Sequence, residues 1–214
     1  MTPHAPGREA LLDAAALLMD ERGIDQVSLN EINRASGQHN RSAIQYHFGS
    51  RDALVRELFT DTMLAVDAER SALLDHLETS HGPVGVRTAI EVVIGPLARR
   101  LRTPEGRRYL RLCGQLLNHP HYTKDARDAL QTNTSIIRCA EHARPGLAHL
   151  PPAIAIERAS QLIAFVTRAL ADQARLLDTD PPPRPPLGPD AFTINLVDIA
   201  LAMITAPTAT RDTA

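Results

Sequence analysis

The sequence predicts an all-α protein of about nine helices: an N-terminal three-helix, helix-turn-helix head followed by a C-terminal helical bundle body. Three observations predict it. Apolar residues recur three and four apart along most of the chain, the spacing that lines one face of an α-helix. Capping residues and Gly or Pro stops bracket these runs. Two runs are very short and flank a single glycine, Gly37, so they must pack on their neighbours to form at all.

The head comes first. Residues 1–7 are expected to be disordered. Arg8 to Arg22 predicts a helix, with Leu11, Leu12, Ala15, Leu18 and Met19 on one stripe and Gly23 as its stop. Ser28-Leu29-Asn30-Glu31 fits a capping box, and Val27 with Ile32 fits a hydrophobic staple, so a second helix should begin at Leu29 and end at Gly37. A third helix takes Asn40 as its N-cap. Its Ile44 and Phe48 face the core, which points Arg41, Ser42 and Gln45 outward. Gly49 ends it, and Ser50 caps a long helix running to about Thr79. Leu54, Leu58, Met63 or Ala65, Val66, Leu73 and Leu77 supply the buried face of that helix. Its first turn belongs to the head, which sets the domains at 1–54 and 55–214.

The body reads as five further helices. Val84–Leu101 contains Gly95-Pro96, where a kink is expected. Thr103 caps a helix with Pro104 at its first position, running to Asn118. The next helix spans Thr123 to about Ala143, stopped by Arg144-Pro145-Gly146. Pro152 to Asp178 is long, with Ile156, Ala159, Ile163, Val166 and Leu170 as its stripe. A Pro-rich connector from Asp180 to Asp190 precedes a last helix, Ala191–Ala206, and a loose tail.

Composition bounds the function. The chain has 214 residues, 43% hydrophobic and 22% charged, which is globular. A net charge of −2 argues against a membrane surface or nonspecific nucleic-acid coating. No run of about 18 apolar residues exists, and the N-terminus lacks a signal-peptide pattern, so a cytoplasmic protein is expected. Lys124 is the only lysine; with abundant alanine, the arginine bias hints at a GC-rich bacterial genome. The two cysteines, Cys113 and Cys139, make no disulfide framework.

The outward set on the third helix carries the functional signal. Arginine reads guanine and glutamine reads adenine, while Ser, Tyr and His suit phosphates. Two short helices around a glycine are also common as plain packing units. Residues 1–51 hold five arginines against six acids, so a positive face must come from sorting, with the acids turned elsewhere.

These residues resemble the N-terminal domain of TetR-family transcriptional regulators. The resemblance runs from Arg8 to Leu58. It covers Glu21-Arg22-Gly23, then Val27-Ser28-Leu29-x-Glu31-Ile32, then Ile44-Gln45-Tyr46-His47-Phe48-Gly49-Ser50-Arg51-Asp52-Ala53-Leu54. It implies that Arg41, Ser42, Ala43 and Gln45 face base edges and that Ser28, Tyr46, His47 and Arg51 hold phosphates. The segment Gly37-Gln38-His39-Asn40 is one residue longer than the commonest family turn, which leaves open whether Asn40 or Arg41 enters the groove first.

The last two helices bear on assembly. Ile163, Val166 and Leu170 with Phe192, Leu196, Ile199 and Met203 either centre the body's own core or form a four-helix interface with a second copy. The resemblance implies the second, a homodimer on a palindromic operator in double-stranded DNA. No catalytic motif is present, so no enzyme activity and no cofactor are expected. A cavity for an unknown small-molecule effector would be walled by Leu112, Cys113, Leu116, Ile137, Phe165 and Val166, with Gln115, Gln161 or Arg168 as polar fixers. A rival places a metal or redox sensor at Cys113 and Cys139 with His119, His121 and His142; buried thiols and surface histidines are the plainer reading. The expectation is a ligand-released repressor without a bound metal.

Overall fold

The structure, a computed structural model, describes residues 6–38, 42–82, 84–122, 124 and 133–208. Nine α-helices and no strand occur among the described residues. Asn40 and Arg41, and residues 125–132 of the expected helix Thr123–Ala143, lie outside them.

The head consists of α1 (Pro6–Arg22), α2 (Leu29–Ala35), α3 (Ala43–Phe48) and the first turn of α4 (Arg51–His81). The local signals act as their chemistry requires. The Ser28 hydroxyl accepts from the Glu31 N–H, and the Glu31 carboxylate accepts from the Ser28 N–H, completing the capping box. Val27 and Ile32 are both buried. Gly37 takes the left-handed conformation at φ 71°, which leads the chain out of α2. The Ser50 side chain accepts from the Ala53 N–H at 3.0 Å and starts α4. Leu11, Ile32, Ile44 and Leu54 close the core of the head.

The body is built on the rest of α4, with α5 (Val86–Arg99), α6 (Pro104–Leu116), α7 (Thr134–Ala143), α8 (Pro152–Asp178) and α9 (Pro189–Thr205). Thr103 caps α6 through the Gly106 N–H, with Pro104 at the first position. α6 and α8 cross closely, because Gly114 lets the backbones approach: a Cβ there would lie 2.7 Å from the Ala171 methyl. α5 packs on α4, α7 and α9, and α9 packs on α8. Gln173, buried on α8, donates to the Leu187 carbonyl at 2.7 Å and ties the Pro-rich connector down. No helix among the described residues is long and apolar enough to cross a membrane.

Several expectations are corrected. α5 spans Val86–Arg99 rather than Val84–Leu101, with Pro96 inside it, and passes into a 3₁₀ turn at Arg100–Arg102. α7 begins at Thr134, because the Asn133 side chain accepts from the Ile136 N–H and caps a new helix inside the expected Thr123–Ala143 run. On α4, Ala65 is exposed and Leu73 and Leu77 are half-buried, whereas Val55, Phe59, Leu74 and the charged Arg70 are inside. α4 is covered on different sides by the head, α5 and α7, so one stripe does not describe it.

Candidate nucleic-acid interface and body cavities

α3 is six residues long and is held entirely by its neighbours. Ala43 and Ile44 are 5% and 1% exposed and enter the core of the head. Ser42 and Gln45 face solvent, and Tyr46 is 83% exposed. The His47 ring is half-buried and sits edge-on to Tyr46, with centroids 5.0 Å apart. Phe48 packs against the core under the Arg8 guanidinium, 5.3 Å above its ring, and Arg8 also pairs with Glu57. These contacts join α1, α3 and α4 and fix which face of α3 points out.

Three of the expected DNA contacts make contacts within the head. Ala43 is buried in its core. The Ser28 hydroxyl is engaged with Glu31, donating to its carboxylate at 2.7 Å. The Glu31 carboxyl is held below the usual range, first by the Ser28 N–H, then by the Ser28 hydroxyl and Arg22. The Arg51 guanidinium donates to the Val27 carbonyl at 2.6 Å and to the Ile24 carbonyl. It thus fastens the turn between α1 and α2 onto the start of α4. Arg22 pairs with Glu31 at 2.9 Å, while Arg34 is exposed on α2 and makes no ion pair among the described residues.

The body grips the head through α6 and the turn after it. Arg111 donates to Asp20, with its Nε at 2.8 Å, and also to Asp178; the hydrogen bond to Asp20 raises its pKa most. Gln115 accepts from the Ile24 N–H at 3.1 Å and donates to the Met19 carbonyl at 3.4 Å. His119 lies 2.8 Å from Asp25, and His121 lies 3.2 Å from Asp52. Tyr122 donates to Asp52 at 2.9 Å. The Asp52 carboxyl is drawn below its ordinary value, first by His121 and then by Tyr122. Gln115 is therefore a head contact rather than a cavity fixer. No sequence pattern marks these pairs, because the partners lie 67 to 96 positions apart.

Two apolar cavities open in the body. One, of about 630 Å³ including space open to solvent, is lined by Phe59, Met63, Tyr109, Cys113 and Leu116 among others. The second, of about 790 Å³ on the same measure, is lined by Ile90, Val93, Cys139, Ile163 and Val166 among others. Arg70, Leu97 and Thr167 belong to both walls. Of the expected lining, Cys113 and Leu116 reach the first cavity and Val166 the second. Leu112 and Phe165 pack into the core without lining either, and Ile137 is largely exposed. Arg168 is exposed and pairs with Asp172 at 2.7 Å, and Gln161 donates to Glu157 at 2.8 Å, so neither serves as a fixer.

The cysteine and histidine set is dispersed. Cys113 and Cys139 line different cavities, and His142 lies 2.7 Å from Glu78. Burial pushes the Cys113 thiol up to about 12, with the Tyr109 hydroxyl opposing, and the Cys139 thiol up to about 11. Both are thiols at neutral pH, and it is the thiolate that ligates or reacts. No group of three or more His, Cys, Asp or Glu poised for a metal occurs among the described residues.

On α8 and α9 the expected interface residues divide. Val166, Leu170, Phe192 and Leu196 are buried within the protomer, and Ile163 and Met203 are half-buried. Ile199 is exposed, as are Ile194 at 64% and Ile156 at 72%, which the expected interface did not include.

A short helix held outward by a three-helix head, on a helical body, defines a helix-turn-helix DNA-binding fold. Residues 11–58 match the family model of the bacterial regulatory proteins of the tetR family, so this N-terminal segment is similar to the corresponding domain of those proteins. The whole chain resembles solved structures of the same fold. NalD, the secondary repressor of the MexAB-OprM multidrug efflux pump in Pseudomonas aeruginosa, is 19% identical with a TM-score of 0.58, over 92% of this chain and 95% of its own. A proposed tetR family transcription regulator from Shewanella sp. PV-4 is 17% identical with a TM-score of 0.61, over 92% and 95%. No curated protein matches the chain.

Proposed function

We propose that the protein is a homodimeric transcriptional repressor that binds a palindromic operator in double-stranded DNA and is released when a small organic effector occupies the body. The observation that carries the DNA-binding part is the division of α3, with Ala43 and Ile44 sealed inside and Gln45 and Tyr46 presented to solvent. In this reading Asn40, Arg41, Ser42 and Gln45 meet base edges, while Tyr46 and His47 take phosphates. Residues 1–54 are the DNA-binding domain and 55–214 the effector-binding and dimerisation domain. The second copy would cover Ile156, Ile194 and Ile199 on α8 and α9, placing two α3 helices roughly 34–36 Å apart in successive major grooves.

The route from effector to DNA runs through α6. This helix lines the first cavity with Tyr109 and Cys113 and holds the head with Arg111 and Gln115. An effector that fits one setting of α6 better than another shifts the population of head orientations by that difference in affinity. The repressor described by NalD's structure has the same fold and supports the direction of control.

The test is fluorescence anisotropy on the DNA upstream of the gene, with a salt titration. Binding should fall steeply with salt. Arg41→Ala and Gln45→Ala should each lose sequence preference, by roughly 1–3 kcal/mol of discrimination. Ile194→Asp should give a monomer by sedimentation and weaken operator binding. A flat salt dependence, or unaltered binding in both α3 variants, would refute the assignment of α3.

A further inference from the structure

Arg70, midway along α4, is 4% exposed. Its Nε and one terminal nitrogen both donate to the Val93 carbonyl, at 3.1 and 2.7 Å. The other terminal nitrogen has no hydrogen-bond partner, and no carboxylate forms an ion pair with the group, among the described residues. The nearby acids are engaged elsewhere: Glu69 with Arg99 and Arg100, both at 2.9 Å, and Asp67 with the Ser135 N–H at 2.9 Å. Burial lowers the pKa of Arg70, yet a guanidinium keeps its proton in proteins, so among the described residues a buried positive charge stands with no carboxylate in contact, Asp67 and Glu69 acting on it only through space.

Its position gives the charge a use. Arg70 lines both cavities, and so does Thr167, whose hydroxyl has no hydrogen-bond partner among the described residues. The linings around this pair are otherwise mostly apolar, and the Tyr109 hydroxyl is already engaged with Cys113. Tying α4 to the Val93 carbonyl explains two of the three nitrogens but requires no charge; a neutral amide would serve that purpose. What complements a buried guanidinium and a hydroxyl lining the same apolar-walled cavities is an anion carried on an apolar body.

We propose that the body binds an amphipathic organic monocarboxylate, its carboxylate set on Arg70 and Thr167 and its apolar part in the larger cavity beside Ile90 and Ile163. Binding itself is independent of DNA; its regulatory consequence rests on the ligand-released repressor reading.

The test compares three probes of one chain length, octanoate, 1-octanol and octylammonium, by calorimetry on the full-length protein without DNA. Octanoate should bind roughly tenfold to a hundredfold more tightly than 1-octanol, as charge-assisted hydrogen bonds imply, and octylammonium most weakly. Arg70→Gln, which keeps a donor for the Val93 carbonyl, should equalise octanoate and 1-octanol at an unchanged 1-octanol affinity. Octanoate binding no tighter than 1-octanol in the wild type overturns the proposal without any variant. So does a preference that survives in a folded Arg70→Gln protein. A second arm adds operator DNA. Octanoate that binds selectively but leaves the DNA bound supports the ligand class and refutes release by ligand. Release by 1-octanol, with no preference for the anion, supports release and refutes the ligand class.

Discussion

Replacing Arg51 by glutamine should unfasten the head from the inside rather than strip a phosphate contact from its surface. The side chain donates to two backbone carbonyls, of Val27 and Ile24, which lie just before α2. Hydrogen bonds from a charged donor contribute about 1.5–3 kcal/mol each. Both bonds are only part-buried, so the lower end applies, and the pair together should be worth about 2–3 kcal/mol. For a chain of this length each kcal/mol moves the melting temperature by about 2–4 °C, so Arg51→Gln should lower it by about 4–12 °C in a thermal scan followed by circular dichroism. Arg51→Lys should recover little, because one ammonium cannot reproduce a fork reaching two carbonyls. Operator affinity should weaken with the head, but the slope of log K against log salt should stay as in the wild type. A lost phosphate contact instead lowers that slope by about 0.9. An unchanged melting temperature with a shallower salt slope would refute the clamp and return Arg51 to the DNA-facing surface.

Three further outcomes follow from the same geometry. Cys113 and Cys139, with thiols pushed up to about 12 and about 11, should resist alkylation by iodoacetamide at neutral pH in the folded protein and react together on unfolding; rapid native labelling would revive the redox rival. Gly114→Val should destabilise the protein by about 1–3 kcal/mol in urea unfolding, since the first added carbon already lies 2.7 Å from the Ala171 methyl across the α6–α8 crossing. The carboxyls of Glu31 and Asp52 both have folded pKa values below their ordinary ones. Their contribution is therefore complete above about pH 4–5 and is lost as pH falls through the lower folded values. The melting temperature should drop less steeply below about pH 4 in the Glu31→Gln, Asp52→Asn double variant than in the wild type, and equal slopes would refute the linkage.

The parts of the fold legible in the sequence are those fixed by near neighbours. Ser28 with Glu31, Ser50 with Ala53 and Thr103 with Gly106 are partners three residues apart, and the helices they start were readable from that spacing alone. The bounds of α8, Pro152–Asp178, are legible differently, from a proline at its first position with no side-chain cap. Asn133 was not, because an asparagine within a periodic run looks like solvent-facing polarity until its side chain is seen capping Ile136. In the candidate DNA-binding site, the outward Gln45 and Tyr46 follow from the inward Ile44, whereas the burial of Ala43 and the bond from Arg51 to the Val27 carbonyl depend on partners that no local spacing marks. Arg70 was illegible for a different reason. Its one hydrogen-bond partner among the described residues is a main-chain carbonyl 23 positions away, and its neighbours in sequence, Glu69 and Asp67, suggest an ordinary solvated charge.

The two-sided character of α6 has a consequence for how sensitivity can be tuned. Gln115 touches neither the outward face of α3 nor either cavity wall, yet it bridges the Ile24 N–H and the Met19 carbonyl. Under the proposed mechanism, Gln115→Ala would alter the dose at which effector acts while operator sequence preference and effector choice stay fixed. Response threshold and recognition are thereby separable traits, written at different positions of one chain.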